Sequence, residues 1–254
     1  MEQIILIIAA LITSSISAVI GMGGGVVLLG IMAILIPEGY MVVALHGIIQ
    51  MFSNGTRTFV FRQHLKRKLI SEYFFGALIG LSLSIFIVYG LMHLYEVNSA
   101  NKISFDYLKP IIGIYILWYL YLKGAKKEQK NKLFIIVGII SGFSSIFVGA
   151  VGPLIAPFFI RKDLKKESVI ANKAACQIIT HIGKIPIFMY FFNFRYSEHY
   201  TILLPLIISV YIGTNIGKKL LGKLSENTFK LLFKISLTLI AIRLVLGEFL
   251  FIII

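Results

Sequence analysis

The chain has 254 residues, of which 58% are hydrophobic and only 14% are charged, and its mean hydropathy is +0.90. A soluble domain is nearer half apolar and a quarter charged, so this composition excludes an ordinary soluble globular protein. Apolar runs of roughly 17 to 24 residues recur from end to end, which predicts an all-α polytopic membrane protein with about 8 to 10 membrane segments.

The net charge of +14 raises the question of a nucleic-acid partner. The basic residues lie mainly in short loops between apolar runs, where they set membrane topology. We therefore predict that the protein lies in a lipid bilayer and does not bind nucleic acid.

A single cysteine, Cys176, excludes an intrachain disulfide and a multi-cysteine metal site. The sequence has no nucleophile with a plausible base, no metal-ligand spacing and no phosphate-binding loop, so we expect neither an enzyme nor a bound metal or cofactor. The N-terminus, Met-Glu-Gln, lacks the positive region of a signal peptide, so the first apolar run is expected to be retained.

Five apolar runs make up the first half of the chain. They cover residues 4–20, 26–36, about 42–61, 69–94 and 107–122. The first ends at a glycine-rich break, residues 21–25, and the second stops at Pro37. Because about 12 helical residues reach only roughly 18 Å, the second run is too short for a hydrocarbon core of about 30 Å, which predicts a half-helix or re-entrant arm.

The same pattern restarts in the second half. Its runs cover residues 133–148, 154–160, about 168–188, 201–216 and 229–251. A second break, residues 149–153, precedes the second short arm. The second polar-faced helix follows the first after about 127 residues, so we predict two repeats, residues 1–128 and 129–254.

Four basic loops predict how the repeats cross the bilayer. They are residues 62–68, 123–132, 161–166 and 218–223. Placing all four in the cytoplasm puts both termini outside and inverts the second half relative to the first. Inverted repeats with broken helices are a transporter architecture, with the site near the midplane. A duplicated bundle without a transport role is the alternative, although helix breaks and polar faces are costly in lipid.

Two long helices carry the candidate binding residues. Their polar residues step by four, four and three positions and therefore share one helical face. They are His46, Gln50, Asn54 and Arg57 in the first helix and Lys173, Gln177, His181 and Lys184 in the second. Asn172 adds a further amide donor. Cations and donors recur on these faces without an acidic side chain, which favours an anionic ligand over a cation pathway.

These residues also allow other interpretations. Arg57 and Lys184 lie nearer the helix ends and Lys173 about one turn into its helix, so all three could extend to the membrane interface. His46 and His181 could form interhelical hydrogen bonds, or could couple transport to protons because an unperturbed imidazole titrates near neutral pH.

The glycine breaks supply a second kind of donor. Gly23, Gly24 and Gly25 permit positive φ, and the short arm after them begins with unpaired N–H groups. Gly152 and Pro153 repeat this arrangement in the second half. A helix is expected to begin there, because proline is well accepted in the first turn of a helix. We predict that both breaks present backbone donors to an anion. Close helix packing through the glycines is the alternative.

These features resemble the TauE/SafE sulfite exporter family of membrane permeases. The resemblance lies in the two breaks, in the alanine-containing stretches 44–47 and 171–174, and in the glycine pairs of 76–80 and 213–217. It implies a secondary transporter that exports sulfur oxyanions such as sulfite, sulfoacetate or related sulfonates from a prokaryotic cell across its plasma membrane. The chain departs from the family's small hydroxyl residues at His46-Gly47 and near Lys173. A passive anion channel, a carrier of another small organic anion, and a membrane partner that hands anions to a soluble enzyme stay open as alternatives.

Overall fold

The computed structural model describes residues 2–102, 108–122, 133–159 and 164–253, and over these residues the chain is all-helical. The α-helices are α1 Glu2–Ile20, α2 Gly24–Leu35, α3 Gly39–Val60, α4 Arg67–Leu94, α5 Leu108–Leu117, α6 Leu133–Val148, α7 Gly152–Ile155, α8 Lys166–Phe191, α9 Tyr200–Leu221 and α10 Glu226–Ile253. Shorter 3₁₀ or π turns lie at Arg62–His64, Ala100–Lys102, Trp118–Leu122, Ala156–Phe159 and Tyr196–His199.

Each predicted apolar run coincides with one of these helices. The two polar-faced helices are longer than predicted, because α3 begins at Gly39 and α8 begins at Lys166. The second short arm is α7 continued by the 3₁₀ turn Ala156–Phe159. Residues 107 and 160 of the predicted runs, the basic loop 123–132 and residues 161–163 lie outside the described residues.

The surface of the helices is apolar in the manner of a membrane protein. Three segments are long and apolar enough to cross a bilayer, namely α1, α4 and Tyr196–Leu221, which contains α9. Isoleucines spaced by four residues form the exposed face of α1, while Thr13, Ser14 and Ser17 on the same helix are buried. Apolar residues outside and hydroxyls inside suit lipid and not water. The protein is therefore an all-α membrane protein, and the total of about 8 to 10 membrane segments stays a prediction.

Glycine contacts join helices from the two halves of the chain. On α4, a Cβ atom at Gly76 or Gly80 would lie 2.0 or 2.1 Å from a backbone carbonyl oxygen of α6. On α9, a Cβ atom at Gly213 or Gly217 would lie 2.3 or 2.4 Å from a carbonyl oxygen of α1. Only glycine permits such close approach, and small residues of this kind are the usual contact between membrane helices. Both glycine pairs therefore act in packing, and α1–α9 and α4–α6 form two equivalent helix pairs.

Helices α3 and α8 lie side by side and run antiparallel. The start of α8 contacts the chain just after α3, since Asn172 bonds to the backbone of His64 and Lys66. Farther along α8, the His181 ring lies 6.4 Å from the ring of His46, near the start of α3. Helix α3 also packs on α9, and α8 packs on α4.

Exchanging the two halves of the chain maps these helix pairs onto one another. The pair α1–α9 corresponds to α6–α4, and α3–α9 corresponds to α8–α4. The central pair α3–α8 and the pair α5–α10 correspond to themselves. Two inverted repeats would produce this arrangement. The inversion itself, the boundary between residues 128 and 129, and the re-entrant nature of the short arms stay predictions.

The α4–α6 contact predicts a difference between two glycine-to-alanine variants on the same helix. Gly80→Ala places a Cβ atom 2.1 Å from the carbonyl oxygen of Ile139, whereas Gly90 has nothing within 4 Å of the same position. Overpacking of about 1 to 3 kcal/mol should lower the midpoint of thermal unfolding in detergent by roughly 2 to 10 °C for Gly80→Ala. Gly90→Ala should keep or raise that midpoint, because alanine favours a helix. Equal midpoints for the two variants would contradict the packing described.

Candidate functional site

The first helix break is shaped by glycines, at positions where other residues would be strained. Gly21 and Gly23 have positive φ angles of 83° and 96°, and they turn the chain sharply between α1 and α2. A Cβ atom on Gly24 would lie 1.7 Å from the carbonyl oxygen of Thr13. Helix α2 therefore starts directly against the side of α1.

The second break has a similar design. Helix α6 ends at Val148, and Gly149 follows with a positive φ of 75°. Helix α7 begins at Gly152, with Pro153 in its first turn, where the missing proline N–H is not needed. Both predicted breaks are thus interruptions of the helical chain at the predicted positions.

A pocket lies where the two breaks meet α3 and α8. Of the residues proposed from the sequence, those that line it are Gly23, Gly25, His46, Gln50, Arg57, Gly152, Pro153, Lys173, Gln177 and His181. The sequence analysis missed Ser17, Met22, Val26 and Ala150, which also line the pocket. Ser17 belongs to a group of hydroxyls on α1 that is buried, and this is the signal that could have identified it.

Four proposed residues lie close to the pocket without lining it. Gly24 packs on α1, as described above. The Asn54 side-chain oxygen accepts a hydrogen bond of 2.8 Å from Arg57 and so lies behind that guanidinium. Asn172 donates to the His64 carbonyl at 3.0 Å, at the turn between α3 and α4. Lys184 donates to the Gly149 carbonyl at 2.8 Å and holds the second break.

Three cations are buried inside the protein and do not extend to the membrane interface. The exposed fractions are 3% for Arg57, 2% for Lys173 and 1% for Lys184. All of their hydrogen-bond partners in the described part of the chain are neutral. Arg57 donates to Asn54 and Ser53. Lys173 donates to the Gly21 carbonyl at 3.1 Å and to the side-chain oxygen of Gln177 at 3.3 Å.

The pocket has a positive charge without a nearby counter-charge. Arg57 and Lys173 both line it and are close enough to repel each other. None of the described residues that line the pocket carries a carboxylate. The described residues also hold no group of three or more His, Cys, Asp or Glu side chains that could bind a metal ion. The arrangement is chemically suited to an anion and not to a cation.

Two glutamines place equivalent amides against the two breaks. A Cβ atom on Gly25 would lie 3.0 Å from the side-chain oxygen of Gln50. A Cβ atom on Gly152 would lie 2.9 Å from the side-chain nitrogen of Gln177. Each residue of the second pair follows its counterpart by 127 residues, which is the repeat distance found in the sequence. The pocket therefore presents an amide and a backbone segment from each half of the chain.

The two histidines of the pocket differ in their bonding. Nε2 of His46 donates to the Gly25 carbonyl at 2.7 Å, so this ring is tied to the start of α2. Neither ring nitrogen of His181 has a hydrogen-bond partner among the described residues, although the residue is only 1% exposed. A buried polar atom without a partner is costly, so His181 is a natural contact for a ligand.

Comparison with known proteins identifies the family. The family model described as Sulfite exporter TauE/SafE matches residues 6–244, which include both breaks, α3, α8 and the whole pocket. No curated protein and no solved structure matches the chain. The chain therefore belongs to the TauE/SafE sulfite exporter family of membrane transporters.

Proposed function

We propose that the protein is a secondary transporter that carries a small sulfur-containing oxyanion, such as sulfite, sulfoacetate or a related sulfonate, through the pocket between α3 and α8 by alternating access. The observation that carries this proposal is the pair of buried cations, Arg57 and Lys173, facing a pocket whose described lining has no carboxylate. The family supports a transporter of sulfite or a similar anion.

The charge of the pocket explains why an anion would enter it. A cation removed from water loses several kcal/mol of hydration unless a counter-charge replaces it. The carbonyl of Gly21 and the side-chain oxygen of Gln177 give the Lys173 ammonium partial compensation only. A bound anion completes that compensation and receives charge-assisted hydrogen bonds in return.

The donors around the pocket suit a group with several oxygens. Gln50 and Gln177 contribute amides from opposite sides, and His181 contributes an imidazole without another partner. The start of α2 adds the positive end of a helix dipole beside Gly25. A sulfite or sulfonate group offers three oxygens to such donors.

The way the helices are paired supports alternating access. The helix pairs α1–α9 and α4–α6, which we call the frame, are held together by close glycine contacts. The pocket lies between the antiparallel helices α3 and α8. Movement of the α1–α9 pair, with α3 packed on α9, against the α4–α6 pair, with α8 packed on α4, would open the pocket to either side of the membrane in turn. Export from a prokaryotic cell across its plasma membrane, with both termini outside, is part of this proposal and rests on the family and on the basic loops.

Removing the charge of Lys173 should abolish most transport. Lys173→Met keeps the length of the side chain but loses a charge-assisted hydrogen bond, so the concentration of sulfite for half-maximal uptake should rise roughly ten- to a hundredfold. The measurement is uptake of labelled sulfite into proteoliposomes, with the thermal midpoint as a check on folding. Lys173→Arg should retain part of the uptake.

A matched control for this prediction is Lys219→Met. Lys219 lies in the last turn of α9 and is exposed, so the same substitution there should leave uptake unchanged. Equal uptake by Lys173→Met and Lys219→Met, with both proteins folded, would remove the main support for an anion site at Lys173. Flux that never saturates and shows no counterflow in the wild type would instead favour a passive channel.

The amide of Gln177 should contribute to anion selectivity. Gln177→Ala removes a donor beside Gly152, and a hydrogen bond worth about 1 kcal/mol corresponds to roughly fivefold weaker binding of sulfite and sulfoacetate. Uptake of a simple carboxylate, acetate, serves as the comparison anion, and the exposed Gln63→Ala serves as the control variant. If all three anions behave alike in wild type and Gln177→Ala, Gln177 is not part of the binding site.

A further inference from the structure

The His181 side chain forms no hydrogen bond within the described part of the protein. Arg57 and Lys173 each donate to protein oxygens, and His46 donates to the Gly25 carbonyl. His181 is as deeply buried as these residues and lines the same pocket. Both of its ring nitrogens lack a hydrogen-bond partner within the described residues. The protein therefore keeps a histidine buried here with both nitrogens available to a ligand or a proton.

The groups that surround His181 make its protonation depend on the contents of the pocket. Helix α3 contributes His46 and Arg57, and α8 contributes Lys173 and Lys184. Among the described residues of the other pocket-lining segments, Ser17 of α1 adds the one further polar side chain. Tyr73 of α4 and Cys176 of α8 interact with each other beside Thr180, and both groups are neutral near neutral pH.

An added proton would therefore meet only positive or neutral neighbours in an empty pocket. The resulting imidazolium would be repelled by Arg57, Lys173 and Lys184 at low dielectric, where such repulsion is weakly screened. A bound anion reverses the balance, because it attracts the imidazolium and accepts a charge-assisted hydrogen bond from it. Each ligand thus raises the affinity for the other, as thermodynamic linkage requires.

We infer that His181 is a proton-binding site that fills together with the anion, so that the transported unit is one anion plus one proton. The inference rests on the proposed function and adds a second, cationic substrate to it. The proton comes from bulk water and forms an N–H bond on the free nitrogen of the His181 ring. When the pocket empties on the other side of the membrane, the same bond breaks and the proton leaves with the anion.

His46 is less suited to this role, because one of its ring nitrogens already serves the protein. Its Nε2–H is held by the Gly25 carbonyl at 2.7 Å, which fixes the ring against the start of α2. Its Nδ1 has no partner among the described residues, so His46 has one nitrogen open to the pocket, whereas His181 has two. His46 is therefore a positioning residue, and the two histidines should respond differently to the same substitution.

The experiment measures proton uptake when sulfoacetate binds to the purified, full-length protein in detergent. Sulfoacetate is used because both of its acidic groups are ionised at neutral pH, whereas sulfite itself gains a proton in that range. Uptake is recorded near pH 7 with an indicator dye in weakly buffered solution free of sulfonate buffers. The wild type should take up close to one proton per bound anion. Its affinity should fall by up to about tenfold for each unit that the pH rises.

Two glutamine variants separate the histidines. His181→Gln keeps a donor that cannot titrate, so sulfoacetate should bind more weakly at low pH, proton uptake per bound anion should fall to near zero, and the pH dependence of the affinity should flatten. His46→Gln should still take up a proton when it binds sulfoacetate, even where its affinity is lower. Uptake that persists in His181→Gln, or disappears only in His46→Gln, would overturn the assignment.

The wild type alone keeps the two proposals apart. Saturable binding of sulfoacetate without proton uptake, and with no change in affinity from pH 6 to pH 8, would overturn proton binding and leave the anion transporter intact. Failure of both sulfoacetate and sulfite to bind at all would instead overturn the proposed function. A variant that does not fold is recognised by its thermal midpoint. In that case the pH dependence of sulfoacetate affinity in the wild type tests whether a proton binds with the anion.

Discussion

The structure depends on two lysines of one helix that reach the two helix breaks. A break leaves carbonyl groups at the end of a helix without N–H partners, and in lipid each such group costs several kcal/mol. Lys173 donates to the Gly21 carbonyl at the end of α1, and Lys184 donates to the Gly149 carbonyl at the end of α6. Helix α8 therefore stabilises both breaks through its own buried charges. Each ammonium gains an acceptor and each break gains a donor, which lowers the cost of both in a low-dielectric interior.

The frame around this pair explains how the site keeps its geometry. Glycines on α4 and α9 allow backbone contact with α6 and α1, which produces two closely packed helix pairs on either side of α3 and α8. Small-residue contacts supply the packing that water cannot drive inside a bilayer. The pocket thus combines a tightly packed frame with an interior of cations, amides and irregular backbone. Lys173 lines the pocket and can therefore contact a ligand, whereas Lys184 does not line the pocket and donates to the second break.

The sequence predicted the helices and most of the pocket because its strongest signals are local. Apolar run length determines where helices lie, and the steps of four, four and three residues placed His46, Gln50 and Arg57 on one face. Sharing this helical face is not enough, however, to place a side chain in the pocket. Asn54 and Lys184 satisfy the spacing, yet they bond to Arg57 and to the Gly149 carbonyl, and only the packing of separate helices decides that. Ser17 was missed because the group of hydroxyl residues on α1 was not considered, and only the packing of separate helices decides which of them lines the pocket.

The central claim is that an oxyanion sits between the two breaks, in contact with the cations of α3 and α8. The most direct test is a crystal structure of the protein with selenite, an analogue of sulfite whose selenium can be located by anomalous scattering. The account predicts a selenium peak in the pocket, with selenite oxygens within hydrogen-bond distance of Lys173 Nζ, the Gln177 amide and a ring nitrogen of His181. A peak at the protein surface alone, or none in the pocket at saturating selenite, would contradict the account.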